Sequence, residues 1–219
     1  MVQCETVESL LGRIASASLS GGGGGAAAAL TGATAAALVA MVAGVAARRA
    51  PEDARLREIV DEMQVLRVRM LALIGRDVEA FGRVVEARRR TDEARAAAIR
   101  DALIGATEVP LELAAASARV LEQCTAVLPR ARPSTLADVG VAATLAAAAL
   151  EGAALTVRAN LEALGGAASA GAVLTARANL EGLEASAFVA EGRSRLNRLL
   201  RAGAALRSRL PRGGEDSDQ

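Results

Sequence analysis

The sequence has no histidine, lysine, tyrosine or tryptophan, and its aromatic content is two phenylalanines, Phe81 and Phe188. Each absence removes a class of mechanism. Without histidine there is no Ser-His-Asp or Cys-His machinery, no His-containing zinc site and no imidazole base near neutral pH. Without lysine there is neither a Schiff base nor a P-loop lysine. The shortage of aromatics leaves little for single-stranded bases to stack on, and a formal net charge of +1 gives no pull towards phosphates, so no nucleic acid partner is expected. The cysteines, Cys4 and Cys124, are too few and too far apart for a disulfide framework, and no CxxC suggests a metal centre. They read as ordinary thiols, and no metal site is expected.

What remains is a chain of alanine, leucine, valine and arginine, with all 26 basic residues arginine. Its reactive repertoire is carboxylates, guanidinium groups, hydroxyls, amides, two thiols and the backbone. That set suits proton transfer and charge stabilisation at an already activated substrate, whereas hard redox chemistry would need a cofactor. The 219 residues fit one helical domain over 1–210, followed by a polar tail at 211–219 that reads as disordered. Met1 to Glu5 carries an acid and no basic n-region, which gives the cytoplasm as the expected address. Ala26 to Ala47 runs for 22 residues without a charge, enough to span a bilayer. It is mostly alanine and glycine with Thr31 and Thr34, so the expectation is a helix buried on all sides and no membrane.

Apolar spacing predicts an all-α, multi-helix bundle. Thr6 to Ala17 reads as an amphipathic helix. Gly21 to Gly25 feed the alanine-rich helix, which stops near Arg48 and Arg49, and Ala50-Pro51-Glu52-Asp53 reads as the next helix start. A long helix follows with apolar positions at Leu56, Ile59, Met63, Leu66, Met70 and Leu73, then Asp77, Ala80 and Val84. Thr91-Asp92-Glu93 starts a helix expected to end before Pro110, and Pro110 to open another ending near Pro129. Pro133-Ser134-Thr135 caps a helix that runs to Leu164, apolar around most of its circumference and expected at the centre, with Gly165 and Gly166 ending it. The word Thr156-Val157-Arg158-Ala159-Asn160-Leu161-Glu162 is echoed by Thr175-Ala176-Arg177-Ala178-Asn179-Leu180-Glu181, and last helices carry Phe188, Leu196, Leu199 and Leu206.

Asp77 stands out because it occupies a core-facing position of its stripe. A buried carboxylate either pairs with an arginine or takes a raised pKa, so Asp77 is a candidate acid or base, with an interhelical ion pair as the structural alternative. Asp138, three residues after Thr135, suits a first helical turn, and taken alone that favours a capping role. Gly23, Gly24 and Gly25 before a helix would let backbone N–H groups approach an anion or polar heterocycle, although a plain linker has the same look. Arg48 and Arg49 have the look of a solvated helix end.

In order, the chain carries Gly23-Gly24-Gly25 leading into Ala27-Ala28-Ala29-Leu30-Thr31-Gly32, then Met41-Val42, Asp77-Val78-Glu79-Ala80-Phe81, Arg95 with Ile99, Val109-Pro110-Leu111, Asp138-Val139-Gly140-Val141-Ala142, and Asn160. These words, spread over residues 5 to 165, resemble those of the folate cyclodeaminase/cyclohydrolase family. The resemblance implies an all-α bundle that forms a homodimer and binds a tetrahydrofolate derivative as substrate beside the glycine loop, with no bound cofactor. It implies chemistry at a one-carbon unit, hydrolysis of the methenyl form or deamination of the formimidoyl form. Asp77 is then the acid or base, Asp138 a second carboxylate stabilising the cation, Arg95 or Arg48 a clamp, and Asn160 a substrate-binding residue.

Departures from the family pattern fall on polar positions. Ser20-Gly21-Gly22 replace a Pro-Thr-Pro, Gly44-Val45-Ala46 an Asn-Leu-Thr, Arg48-Arg49 a lysine-rich run, Ala137 a serine, and Thr156 an asparagine. They keep two other readings open: the same fold redirected to a non-folate cyclisation or C–N reaction, and a non-catalytic helical scaffold.

Overall fold

The computed structural model describes residues 6–16 and 22–171, with side chains as far as residue 164. Among these residues there are five α-helices and no strand: α1 Val7–Ala15, α2 Gly24–Ala47, α3 Ala54–Arg89, α4 Arg95–Val127 and α5 Leu136–Gly171. Short 3-10 turns at Leu128–Arg130 and Pro133–Thr135 join α4 to α5. The expected echo at 175–181, the last helices and the tail lie outside the described residues, as does Cys4.

Alanine and glycine dictate how closely these helices approach. α2 touches α3, α4 and α5 and so shares the centre with α5. It is not buried on all sides as expected, because Ala27, Thr34, Ala37 and Met41 form an exposed strip along it. A Cβ on Gly32 would stand 3.0 Å from the Met70 sulfur and 3.3 Å from the Ala149 methyl, which shows α3 and α5 pressing onto the same turn of α2. The α3 stripe is buried as its spacing predicts, from Leu56 through Ile59, Met63, Leu66, Met70 and Leu73 to Ala80 and Val84. Each such large side chain contributes about 1.5–3 kcal/mol relative to an exposed one. Gly24–Ala47 and Pro133–Leu164 are each long and apolar enough to cross a membrane. In the bundle, both bury residues in the core shared with α3 and α4.

Ion pairs fix the register of α3 against α4. The buried Gln123 accepts from Arg55 at 3.2 Å and donates to Glu62 at 2.7 Å, and Glu62 also pairs with Arg119. Further along, Glu112 lies between Arg69 at 2.6 Å and Arg76 at 2.7 Å. Burial pushes the Glu112 carboxyl up, but its bonds to the two arginines outweigh that and hold it below the ordinary range.

Several helix boundaries differ from the sequence reading. α1 is shorter, because the Thr6 side chain accepts from the Ser9 N–H at 3.1 Å and makes Thr6 the cap. α3 begins after Pro51, since the Asp53 side chain accepts from the Arg55 N–H and marks the start instead. Gly165 and Gly166 do not end α5, which runs on to Gly171. Their propensity penalty, about 1 kcal/mol each relative to alanine, does not stop a helix flanked by alanines.

The largest difference is at Pro110, which lies inside α4 instead of opening a new helix. Proline brings no N–H to the carbonyl four residues back, here that of Ala106, and its ring crowds that carbonyl. Asn160 on α5 donates its side-chain N–H to the Ala106 oxygen at 3.0 Å. The orphaned acceptor is thus satisfied from a neighbouring helix, and α4 continues.

Candidate active site

A cavity of about 470 Å³ lies where the start of α2 meets α3, α4 and α5. Gly22 to Gly25 line it from α2 and its lead-in, Asp77, Phe81 and Arg88 from α3, Ala106 from α4, and Thr156 and Asn160 from α5. Asp77, Phe81, Val84 and Arg88 follow the helical i, i+4, i+7, i+11 spacing, which is how one face of α3 presents them all.

The chain enters α2 through Gly22 at φ +85°, a left-handed conformation that costs glycine nothing. Gly23 caps the helix without a side chain, and the first intrahelical bond runs from the Ala27 N–H to the Gly23 carbonyl at 3.1 Å. The N–H groups of Gly24, Gly25 and Ala26 lie ahead of that ladder and form the positive end of α2 at the cavity.

Asp77 meets this end directly. A Cβ on Gly25 would lie 2.5 Å from Asp77 Oδ1 and 2.6 Å from Oδ2, so only glycine admits the carboxylate there. Asp77 is half-buried, and no hydrogen bond or ion pair to it forms among the described residues. The interhelical ion pair, its structural alternative, is therefore not made among them. Burial pushes the Asp77 carboxyl above the ordinary carboxylate range. It is a base made stronger by lost hydration, beside a helix end that favours negative charge.

Three other features complete the walls. Phe81 lines the cavity and is 42% exposed, which leaves apolar ring surface accessible to an occupant. Thr156 lines the cavity and donates its hydroxyl to the Gly152 carbonyl at 3.3 Å. The Arg88 guanidinium makes no ion pair among the described residues. Cys124 is buried in the core away from the cavity, which pushes its thiol up to about 12 and makes it inert.

The structure brings together Asp77, Gly23, Gly24, Gly25 and Asn160. It does not bring in Asp138, Arg48 or Arg95. Asp138 sits in the first turn of α5, about 33 Å along the axis from Asn160 at the α-helical rise, and does not line the cavity. Arg48 caps the far end of α2, about 35 Å from Gly25 by the same measure. Arg95 donates to the Arg88 carbonyl at 3.3 Å, bracing the residue that does reach the cavity. Arg88 went unnoticed in a run of arginines; its spacing of eleven from Asp77 was the available signal.

The formiminotransferase-cyclodeaminase family model matches residues 6–166. The chain is 38% identical over 169 residues to the methenyltetrahydrofolate cyclohydrolase of Methylorubrum extorquens, covering 73% of this chain and 81% of that protein. The solved structure of formiminotetrahydrofolate cyclodeaminase from Thermotoga maritima has the same fold, with a TM-score of 0.71 at 20% identity over 95% of this chain and 98% of that one. By the extent of the family match and the identity to the cyclohydrolase, the chain belongs to the formiminotransferase-cyclodeaminase family.

Proposed function

We propose that this chain hydrolyses methenyltetrahydrofolate, with Asp77 as its general base. The observation that carries the reading is the Asp77 carboxylate, half-buried and held against Gly25 in the cavity with its basicity raised by burial. Identity to a cyclohydrolase supports the choice of substrate.

The methenyl carbon bridges two nitrogens as an amidinium cation and is already electrophilic. Asp77 accepts a proton from water as the water oxygen bonds to that carbon, giving a neutral tetrahedral adduct. The adduct's hydroxyl then gives up its proton, one carbon–nitrogen bond breaks, and the departing ring nitrogen takes the proton that Asp77 holds. The product is a formyl amide, with one proton released to solvent. A carboxylate beside the bound cation stabilises it electrostatically as well, and a positioned base contributes about 10²–10⁴-fold.

In this reading the start of α2 donates N–H groups to the pterin, Phe81 packs on its ring, and Arg88 replaces Arg48 and Arg95 as the clamp for the glutamate carboxylates. Asp138 has no part in this cavity. The enzyme acts in the cytoplasm as a homodimer, in which a second copy covers exposed apolar residues such as Val65 and Val68 of α3. Purified protein should accelerate loss of the amidinium absorbance of methenyltetrahydrofolate; a rate equal to buffer rejects the assignment. Ammonia release from the formimidoyl form, in place of that acceleration, moves the assignment to a cyclodeaminase.

A further inference from the structure

We propose that Pro110 is a positioning residue for this cavity: by withholding a backbone N–H it reserves the Ala106 carbonyl for Asn160, and so fixes which end of the Asn160 amide meets the substrate. The inference rests on the folate reading above and deepens it.

An asparagine amide has a donor end and an acceptor end of nearly the same shape, and only its partners decide which way it turns. Here the donor end is committed to Ala106 at 3.0 Å, and the acceptor end, Oδ1, takes no hydrogen bond among the described residues. Both Ala106 and Asn160 line the cavity. The lock is therefore built into the wall of the site, and it leaves an acceptor for the occupant. A reduced pterin carries N–H groups along its ring edge that need such an acceptor, complementing the donors offered by the start of α2.

Any other residue at 110 would bring an N–H to the Ala106 carbonyl and draw that carbonyl back along the helix axis. Asn160 would then lose its fixed partner, and either end of its amide would face the ligand. Pro110 in a helix interior, Ala106 on its wall side and Asn160 on the next helix thus form one unit, although Pro110 itself does not line the cavity.

A double-mutant cycle on the full chain tests this, reading kcat and KM on methenyltetrahydrofolate together with the melting temperature. Asn160→Ala is expected to raise KM about tenfold with kcat within about twofold, and to lower the melting temperature by about 3 °C because the Ala106 carbonyl is orphaned. Pro110→Ala is expected to raise KM about three- to tenfold without lowering the melting temperature. The double variant should show the KM of Asn160→Ala alone and a higher melting temperature than that single variant, since residue 110 now supplies the missing N–H.

A Pro110 effect on KM that persists undiminished without Asn160, an Asn160→Ala variant with wild-type KM, or no thermal rescue in the double variant each overturns the proposal. If the wild-type chain turns over no methenyltetrahydrofolate, the folate reading falls on its own. The thermal cycle then decides the lock by itself, rescue upholding it and simple additivity overturning it.

Discussion

The Asp77 carboxylate lies against the Cα of Gly25, so close that a methyl group there would stand 2.5 Å from one of its oxygens. The glycine is a condition for the acid's position. Gly25→Ala is therefore expected to leave the bundle folded, with stability within about 1 kcal/mol of wild type because alanine is the better helix former. It should lower kcat/KM by about 100-fold through displacement of the base. Circular dichroism melting beside steady-state kinetics checks both halves.

Asp77 also leaves a signature in stability. Its folded-state pKa is raised by burial, so the folded chain binds this proton more tightly than the unfolded chain does. Wild-type stability from this group is accordingly greatest below the ordinary carboxylate value of 3.8 and falls as pH rises through the raised folded value. Asp77→Asn, which cannot ionise, should be more stable than wild type at neutral pH, with the difference shrinking as pH drops through that window. Urea denaturation at a series of pH values measures it; a variant less stable than wild type at neutral pH contradicts the burial argument.

Arg88 predicts a split between binding and chemistry. Arg88→Gln should raise KM about tenfold for a substrate carrying its glutamate carboxylates and leave kcat nearly unchanged. A truncated substrate without those carboxylates should show no such penalty. Equal losses on both substrates would assign Arg88 to the pterin or to the fold.

Ser117 on α4 is fully buried, and its hydroxyl oxygen has no hydrogen-bond partner among the described residues. An unpaired buried hydroxyl destabilises, so Ser117→Ala is expected to gain about 1 kcal/mol. Chemical denaturation reads this directly, and a loss of stability would mean that the hydroxyl is satisfied.

Much of this molecule was legible in the chain, for reasons that its exceptions make clear. The α3 stripe could be read because burial there repeats every three or four residues, and Asp77 could be read because it interrupts that stripe. Pro110 misled because its compensation is not local: the donor that lets α4 continue is Asn160, on another helix. Arg88 was hidden for a related reason. It sits in the run Arg88-Arg89-Arg90, where Arg90 pairs with the exposed Asp92, and nothing in the run itself separates the member that faces a cavity from those facing water. Asp138 shows the converse, since its sequence word matches the family while its place at the start of α5 leaves it outside the cavity.

The central claim is that a single carboxylate with raised basicity does the proton transfer. The most direct test is the pH dependence of kcat/KM for methenyltetrahydrofolate hydrolysis, corrected for the buffer rate, in wild type and Asp77→Asn. The wild type should lose activity towards acid through one inflection above 3.8, and Asp77→Asn should be at least about 100-fold slower with that inflection gone. A variant that keeps the wild-type rate and the same acidic limb would contradict it.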